Sequence, residues 1–171
     1  MTTKPIPNGY HTITPYLMID GATEAIDFYK RAFNAAELYK MDAPGGKVGH
    51  AEIQIGDSRI MMADSCGEES SFRSPQALGG SPIGLHLYVK DVDALFDQAV
   101  AAGAKIVKPV QDQFYGDRTG ALEDPFGHMW FLATHNENLS LDEIKQRAKV
   151  MFQQDKGDKG GKGDKGGQVK T

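Results

Sequence analysis

The sequence predicts an α+β fold built from two βαβββ modules, followed by a C-terminal helix. A strand-like segment, a helix-like segment and three further strand-like segments follow one another twice along the 171 residues. Shifting the second copy back by 70 positions aligns Phe96 with Ile26 and Trp130 with Ile60. A period of this length is too long for a solenoid repeat and is typical of a duplicated module.

Module one is predicted to span residues 12–64. Side chains alternate in character over residues 13–19, which predicts a strand. Thr23 is predicted to cap an amphipathic helix, because apolar residues recur after it at helical spacing through Phe33. Further strands are expected at residues 37–42, 48–55 and 59–63, separated by a Pro-Gly-Gly turn and a Gly-Asp turn.

A connecting loop rich in Gly, Ser, Glu and Pro covers residues 65–82, and module two is predicted at residues 83–138. Its strands are expected at residues 84–89, 105–110, 118–123 and 128–134, with a helix at 92–102. The Asp-Pro-Phe-Gly sequence at residues 124–127 predicts a tight turn before the last strand. Both faces of that strand are apolar, which favours a central position in its sheet.

The two ends of the chain differ from the modules. Residues 1–11 form an N-terminal arm. Ser140 and Glu143 have the spacing of a capping box, which predicts a C-terminal helix over residues 139–154 with one apolar face. Residues 155–171 consist almost entirely of Gly, Lys and Asp, a composition that predicts a disordered tail.

Composition excludes several classes of function. A net charge of −4 argues against nucleic-acid binding, which normally requires a basic face. No apolar run is long enough to span a bilayer, and the first residues lack the apolar core of a signal peptide. Cys66 has no second cysteine with which to form a disulfide or a zinc site. We therefore expect a cytoplasmic protein that binds neither nucleic acid nor membrane.

Three segments carry a family resemblance: AIDFYKRAF at residues 25–33, HAEIQIGDSRIMMAD at 50–64 and FYGDRTGALEDPFGHMWFLATH at 114–135. Together with the duplicated module they resemble the vicinal oxygen chelate superfamily, and most closely the PhnB-like branch of its glyoxalase/bleomycin resistance protein/dioxygenase family. The resemblance implies a curled mixed sheet in which each module forms half a barrel. It also implies a cleft for a ligand or a metal ion, and a homodimer.

Metal-dependent members of this superfamily hold a divalent ion with side chains from the first and last strands of each module. The resemblance places these four positions at Thr14, Met61, Gly84 and Phe131. None of the four is the imidazole or carboxylate that such an ion needs. We therefore expect that the usual metal site is lost and that the protein needs no cofactor.

Strand alternation separates a cleft face from a face that packs on the helices. The helix face is assigned Leu85, Leu87, Val89, His128 and Trp130. Arg118 is predicted either to clamp an anionic ligand or, with Asp117, to brace the barrel rim. The predicted ligand-binding cleft comprises Thr14, Tyr16, Met18, His50, Glu52, Met61, His86, Tyr88, Tyr115, Arg118, Met129 and Phe131.

Three functional hypotheses follow. The first is a protein that binds a small aromatic or amphipathic molecule without a metal, in a resistance-type sequestering role. The second is a glyoxalase-like lyase or dioxygenase with a displaced site, in which His50, Glu52 and His86 hold Zn, Ni, Fe or Mn. The third is a partner-binding domain whose cleft is filled by side chains.

Overall fold

The computed structural model describes residues 3–66 and 70–159. Within them the chain forms two four-stranded sheets and four α-helices. The elements of module one are β1 (Tyr16–Ile19), α1 (Ala22–Phe33), β2 (Ala36–Ala43), β3 (Lys47–Ile55) and β4 (Ser58–Asp64). A one-turn helix, α2 (Pro75–Leu78), leads to β5 (Gly84–Tyr88), α3 (Val92–Ala102), β6 (Lys105–Asp112), β7 (Asp117–Glu123), β8 (Met129–His135) and α4 (Leu141–Lys159).

The two sheets have the same topology, which confirms the predicted α+β fold of duplicated βαβββ modules. Their strand orders are β1-β4-β3-β2 and β5-β8-β7-β6, and in each the first pair is parallel and the others are antiparallel. Tyr16 lies opposite Met61 in the first sheet, and His86 lies opposite Phe131 in the second. These two pairs are 70 positions apart, so the sequence shift also relates the strand registers.

The modules share one hydrophobic core on the helix side of both sheets. Trp130 of β8 is buried against α1, with its ring centroid 4.4 Å from that of Phe33 and 5.4 Å from that of Tyr29. Gln98 on α3 donates hydrogen bonds from Nε2 to the carbonyl oxygens of Arg31 (2.8 Å) and Ala32 (3.2 Å) at the end of α1. This packing fixes module two against module one on the helix side of both sheets.

The start of module one differs from the prediction in two respects. β1 begins at Tyr16, so Thr14 precedes the strand. α1 begins after Gly21, which adopts a left-handed conformation (φ 89°), and Thr23 does not cap it. The cap comes from β4, where Asp64 Oδ1 accepts hydrogen bonds from the backbone N–H groups of Gly21 and Ala22, both at 2.9 Å. A carboxylate from a neighbouring strand therefore replaces the local hydroxyl that the sequence suggested.

The C-terminal helix begins with the predicted capping box. The Ser140 N–H donates to Glu143 Oε2 (2.8 Å), and the Glu143 N–H donates to Ser140 Oγ (3.3 Å). α4 continues to Lys159, so residues 155–159, predicted as tail, are helical. The rest of the predicted tail, residues 160–171, lies outside the described part of the chain. None of the helices in residues 3–66 and 70–159 is both long and apolar enough to cross a membrane.

Candidate functional site

The first sheet presents a cleft face opposite its helix. Tyr16 on β1, Met61 on β4 and Glu52 on β3 lie side by side in register on this face. Leu17 and Ile19 alternate with Tyr16 and are buried in the core. The alternation thus places the predicted residues Tyr16, Met18, His50, Glu52 and Met61 together on one side of module one.

A cavity of about 560 Å³ opens beside this face. Its wall is mainly apolar, and it lies between the β1 edge and the start of β3. Asp64, at the end of β4, contributes a carboxylate, but both of its oxygens already accept backbone hydrogen bonds, including one from Val48 N–H (2.6 Å). The lining residues are Tyr16, Met18, Ala43, Lys47, Val48, Gly49, Ala63, Asp64, Ser65, Cys66 and Phe72.

A chain of hydrogen bonds leads from this cavity across the sheet. The Tyr16 hydroxyl is 3.0 Å from His50 Nδ1, and His50 Nε2 is 3.3 Å from Glu52 Oε1. The Tyr10 hydroxyl, in the N-terminal arm, donates to the other oxygen of Glu52. Arg59 Nη1 lies 3.9 Å from Glu52, and its guanidinium sits 4.3 Å from the centre of the Tyr10 ring. We call these residues the Tyr16 chain.

The surroundings keep the Glu52 carboxylate ionised. The hydrogen bond from Tyr10 is the largest of the effects that lower the pKa of Glu52, and His50 and Arg59 add to it against the opposing effect of burial. Tyr10 was not among the residues predicted for the site, because it lies in the arm, 42 residues before its partner. Its position depends on how the arm folds back onto the sheet.

The cleft face of module two is carried by Gly84, His86, Tyr88 and Phe131. The ring of Phe131 stacks on His86 (centroids 6.3 Å apart, 15° between planes), and His86 in turn contacts Tyr88 (4.7 Å). A Cβ atom added to Gly84 would collide with the Phe131 ring. Phe131 therefore occupies the space that a side chain at position 84 would need. Met129, half-buried, lies opposite Gly84 on the adjacent strand.

Tyr88 connects this face to a buried carboxylate at the end of the sheet. Its hydroxyl donates to Asp117 Oδ2 (2.8 Å), and Asp117 Oδ1 is 2.6 Å from His135 Nδ1. Burial opposes ionisation of Asp117, but the hydrogen bonds from His135 and Tyr88 leave its pKa lowered. The same hydrogen bond raises the pKa of His135, with a further contribution from Asn138.

The structure contradicts the placement of Arg118 in the cleft. Its guanidinium forms a bidentate pair with Asp93 on α3 (2.7 and 2.8 Å) and contacts Asp112 on β6 (3.1 Å). These carboxylates hold its charge on the helix side of the sheet and raise its pKa. Arg118 thus braces the rim. Tyr115 is half-buried in the preceding turn, edge-on to Phe114 at 5.2 Å.

The alternative metal trio is not assembled. His50 and Glu52 are bonded to each other in module one, whereas His86 packs on Tyr88 in module two. His86 instead lines a small cavity of about 170 Å³ between the modules, together with Thr14. Across residues 3–66 and 70–159, no three His, Cys, Asp or Glu side chains are grouped so that they could hold a metal ion.

The Asp-Pro-Phe-Gly turn contains a buried carboxylate that joins the modules. Asp124 Oδ2 accepts hydrogen bonds from the Tyr29 hydroxyl of α1 (2.8 Å) and from Trp130 Nε1 (2.9 Å). Its Oδ1 accepts from the backbone N–H groups of Phe126 and His128, both at 2.9 Å. Sequence reasoning recognised the turn but not this role, which depends on a helix 95 residues earlier. His128 is buried in the same region, and burial lowers its pKa.

Comparison with known proteins agrees with this architecture. The family model of the glyoxalase/bleomycin resistance protein/dioxygenase superfamily matches residues 11–132. The chain belongs to this superfamily. An uncharacterized protein of Mycobacterium tuberculosis is 43% identical over 137 residues, covering 78% of this chain and 79% of its own length. The match to the family model confirms the family resemblance seen in the sequence.

Several solved structures share the fold. TioX from Micromonospora sp. ML1 superposes with a TM-score of 0.59 at 27% identity, covering 73% of this chain and 98% of its own. A PhnB protein from Bacillus cereus gives a TM-score of 0.56 at 24% identity, covering 72% and 99% of the two chains. The fosfomycin resistance protein FosX from Listeria monocytogenes gives 0.56 at 16% identity, covering 81% and 97%. At 24% and 16% identity, the PhnB protein and FosX show similarity in fold alone.

Proposed function

We propose that this member of the superfamily binds a small aromatic or amphipathic molecule on the cleft face of module one. The observation that carries the proposal is the cavity of about 560 Å³ beside β1. A volume of that size, with mostly apolar walls and few polar groups, is typical of small-molecule sites. An open cavity also weighs against the hypothesis that side chains fill the cleft.

The residues at the four family metal positions support binding without a metal ion. Thr14 precedes β1 and Met61 offers only a thioether, so neither supplies a strong ligand for a catalytic divalent ion. Gly84 has no side chain, and the Phe131 ring covers it. This donor set does not fit the ion of the metal-dependent relatives, and we derive no chemistry through one. A resistance-type role by sequestration requires no catalytic group.

The open sheet faces support a homodimer. On module one Tyr16 is 47% exposed, and on module two Tyr88 is 60% and Phe131 39% exposed. Large apolar side chains so exposed on a curved sheet are typical of a surface that is covered in the assembled protein. We infer that module two of a second copy covers the cavity of module one, so that the ligand lies between two chains.

A cavity-filling substitution tests the proposed site. Ala63 lines the cavity, whereas Ala36 lies exposed on β2 of the same sheet and does not. We expect Ala63→Phe to abolish the thermal stabilisation that aromatic compounds give the wild-type protein, and Ala36→Phe to retain it. Compounds that stabilise both variants equally would refute the site. A screen in which no compound stabilises the wild type would refute small-molecule binding.

Metal analysis addresses the competing enzyme hypothesis. Protein purified without chelators is expected to contain less than stoichiometric zinc, nickel, iron and manganese. Stoichiometric metal that is lost on substitution of His50 or His86 would overturn the metal-free proposal. Native mass spectrometry of the same sample measures the mass of the assembly, and a mass of a single chain at micromolar concentration would contradict the homodimer.

A further inference from the structure

The Tyr16 chain crosses the cleft face beside the cavity. We propose that this chain makes the site selective for aromatic ligands that donate a hydrogen bond, such as hydroxylated or N–H heteroaromatic molecules, over acceptor-only ligands of the same shape. This inference rests on the proposed binding function and specifies its ligand class.

The direction is set at Glu52. An ionised carboxylate can only accept hydrogen bonds, and one oxygen of Glu52 already accepts from the Tyr10 hydroxyl. The other oxygen faces His50 Nε2 at 3.3 Å, and only the tautomer with its proton on Nε2 can donate a hydrogen bond to a carboxylate there. His50 Nδ1 is then an acceptor. The Tyr16 hydroxyl, 3.0 Å away, must donate to it.

The consequence appears at the open end of the chain. A phenol hydroxyl has one proton and can accept hydrogen bonds through its oxygen. Because the Tyr16 proton is committed to His50, Tyr16 offers a ligand only an acceptor. A ligand N–H or O–H satisfies this oxygen, whereas a ligand oxygen at the same place would face it without a proton between them. The direction of the hydrogen bonds in the Tyr16 chain therefore determines which ligands the site prefers, which we call the selection rule.

The Tyr16 side chain is accessible from the cavity. Tyr16 lines the cavity and is half-exposed. Burial and, next, the electrostatic influence of Cys66 raise the pKa of Tyr16. With a raised pKa, Tyr16 keeps the proton that it donates to His50.

The Glu52 end of the Tyr16 chain is held in place by neighbouring side chains. Arg59 lies near Glu52 and over the Tyr10 ring, so the carboxylate has both a donor and a nearby positive charge. The only other aromatic ring close to His50 besides Tyr16, among the described residues, is that of Tyr39 at 6.0 Å. The Tyr39 hydroxyl donates to Met41 Sδ (3.6 Å) and does not enter the chain.

Glu52→Gln should reverse the direction of the hydrogen bonds in the Tyr16 chain, with little change in the shape of the side chain at position 52. The amide oxygen of glutamine can still accept from Tyr10, while its NH₂ group donates to His50 Nε2. His50 then carries its proton on Nδ1 and donates to the Tyr16 oxygen. The Tyr16 proton is released toward the cavity, so the site changes from accepting a hydrogen bond to donating one.

Indole and benzofuran test this rule, because they have nearly the same shape and differ in an N–H donor against an oxygen acceptor. For the wild type we expect indole to bind about tenfold more tightly than benzofuran, measured by titration calorimetry. Tyr16→Phe should remove the preference, and Glu52→Gln should reverse or abolish it. Glu37→Gln, at an exposed glutamate of the same sheet, is the matched control and should keep it.

Equal affinities in the wild type, or a preference unchanged in Glu52→Gln, would overturn the inference while leaving ligand binding intact. Failure of both compounds to bind would count against the proposed function instead. Nitrogen-15 NMR of His50 decides the polarity without any ligand: we expect protonation at Nε2 in the wild type and at Nδ1 in Glu52→Gln. Protonation at Nδ1 in the wild type would refute the selection rule whichever compounds bind.

Discussion

Replacing Asp124 by alanine should weaken the junction between the modules severely. The carboxylate is buried (1% exposed) and accepts four hydrogen bonds. Two donors, the Tyr29 hydroxyl and Trp130 Nε1, are buried side-chain groups, and each costs about 1–3 kcal/mol when left without a partner. The other two are backbone N–H groups of the turn. Since the four bonds share one carboxylate, their losses are not additive, and we expect Asp124→Ala to cost about 3–5 kcal/mol in unfolding free energy.

Urea denaturation followed by tryptophan fluorescence measures this loss. Trp130 is the only tryptophan of the chain and donates to Asp124, so its emission reports both the junction and unfolding. For a protein of this size, the expected loss lowers the melting temperature by roughly 10 °C. Asp97→Ala, which removes an exposed carboxylate of α3, controls for the change in net charge and should alter stability by less than about 0.5 kcal/mol.

A double-mutant cycle separates the contribution of the hydrogen bond between Tyr29 and Asp124 from that of the other hydrogen bonds to Asp124. Tyr29→Phe alone should cost about 1 kcal/mol, because it removes one donor and leaves Asp124 with three. In the Asp124→Ala background the same substitution should cost much less, since the hydroxyl no longer has a partner there. If Asp124→Ala were as stable as Asp97→Ala, or if the two substitutions were additive, the proposed role of this carboxylate would be wrong.

Two further substitutions test other carboxylates. Asp64→Ala removes the cap of α1 and should lower the unfolding free energy by about 1–2 kcal/mol in urea denaturation, whereas unchanged stability would mean that the α1 N-terminus does not depend on β4. Asp117→Asn should lower the pKa of His135 toward its ordinary value in an NMR titration, and an unchanged pKa would rule out their pairing. Because pairing raises the folded-state pKa of His135, its contribution to stability is complete below the unfolded pKa near 6.5 and is lost as pH rises through the folded pKa.

The sequence predicted much of the fold because its signals are local. The helix at residues 92–102 was predicted at its observed bounds, since its apolar spacing and the turn after it are visible within one segment. The 70-residue repeat predicted two modules, and the identical strand orders confirm it. The alternation of Leu17 and Ile19 with Tyr16 likewise separates the buried from the exposed face, because strand geometry converts adjacent positions into opposite directions.

Prediction was less successful where a side chain finds its partner far along the chain. The residues next to Arg118 in the sequence do not show whether its side chain faces a ligand or the barrel rim. The position of Asp93 on α3 shows that it faces the rim. Thr23 had the character of a helix cap, but Asp64 arrives from β4 and takes that role. The local capping preference of Thr23 is not used, because a charged acceptor held in place by a sheet accepts hydrogen bonds from two backbone N–H groups at once.

The repeat and the motifs were enough to predict a duplicated βαβββ fold of this superfamily, and the strand orders and the family match confirm it. The contacts of Tyr10 with Glu52, of Phe131 with Gly84 and of Asp124 with Tyr29 become visible only in the folded chain. The reason is physical: periodicity depends on neighbouring residues, whereas these contacts join groups separated by 42, 47 and 95 positions. Their geometry exists only after both sheets have packed on the shared core.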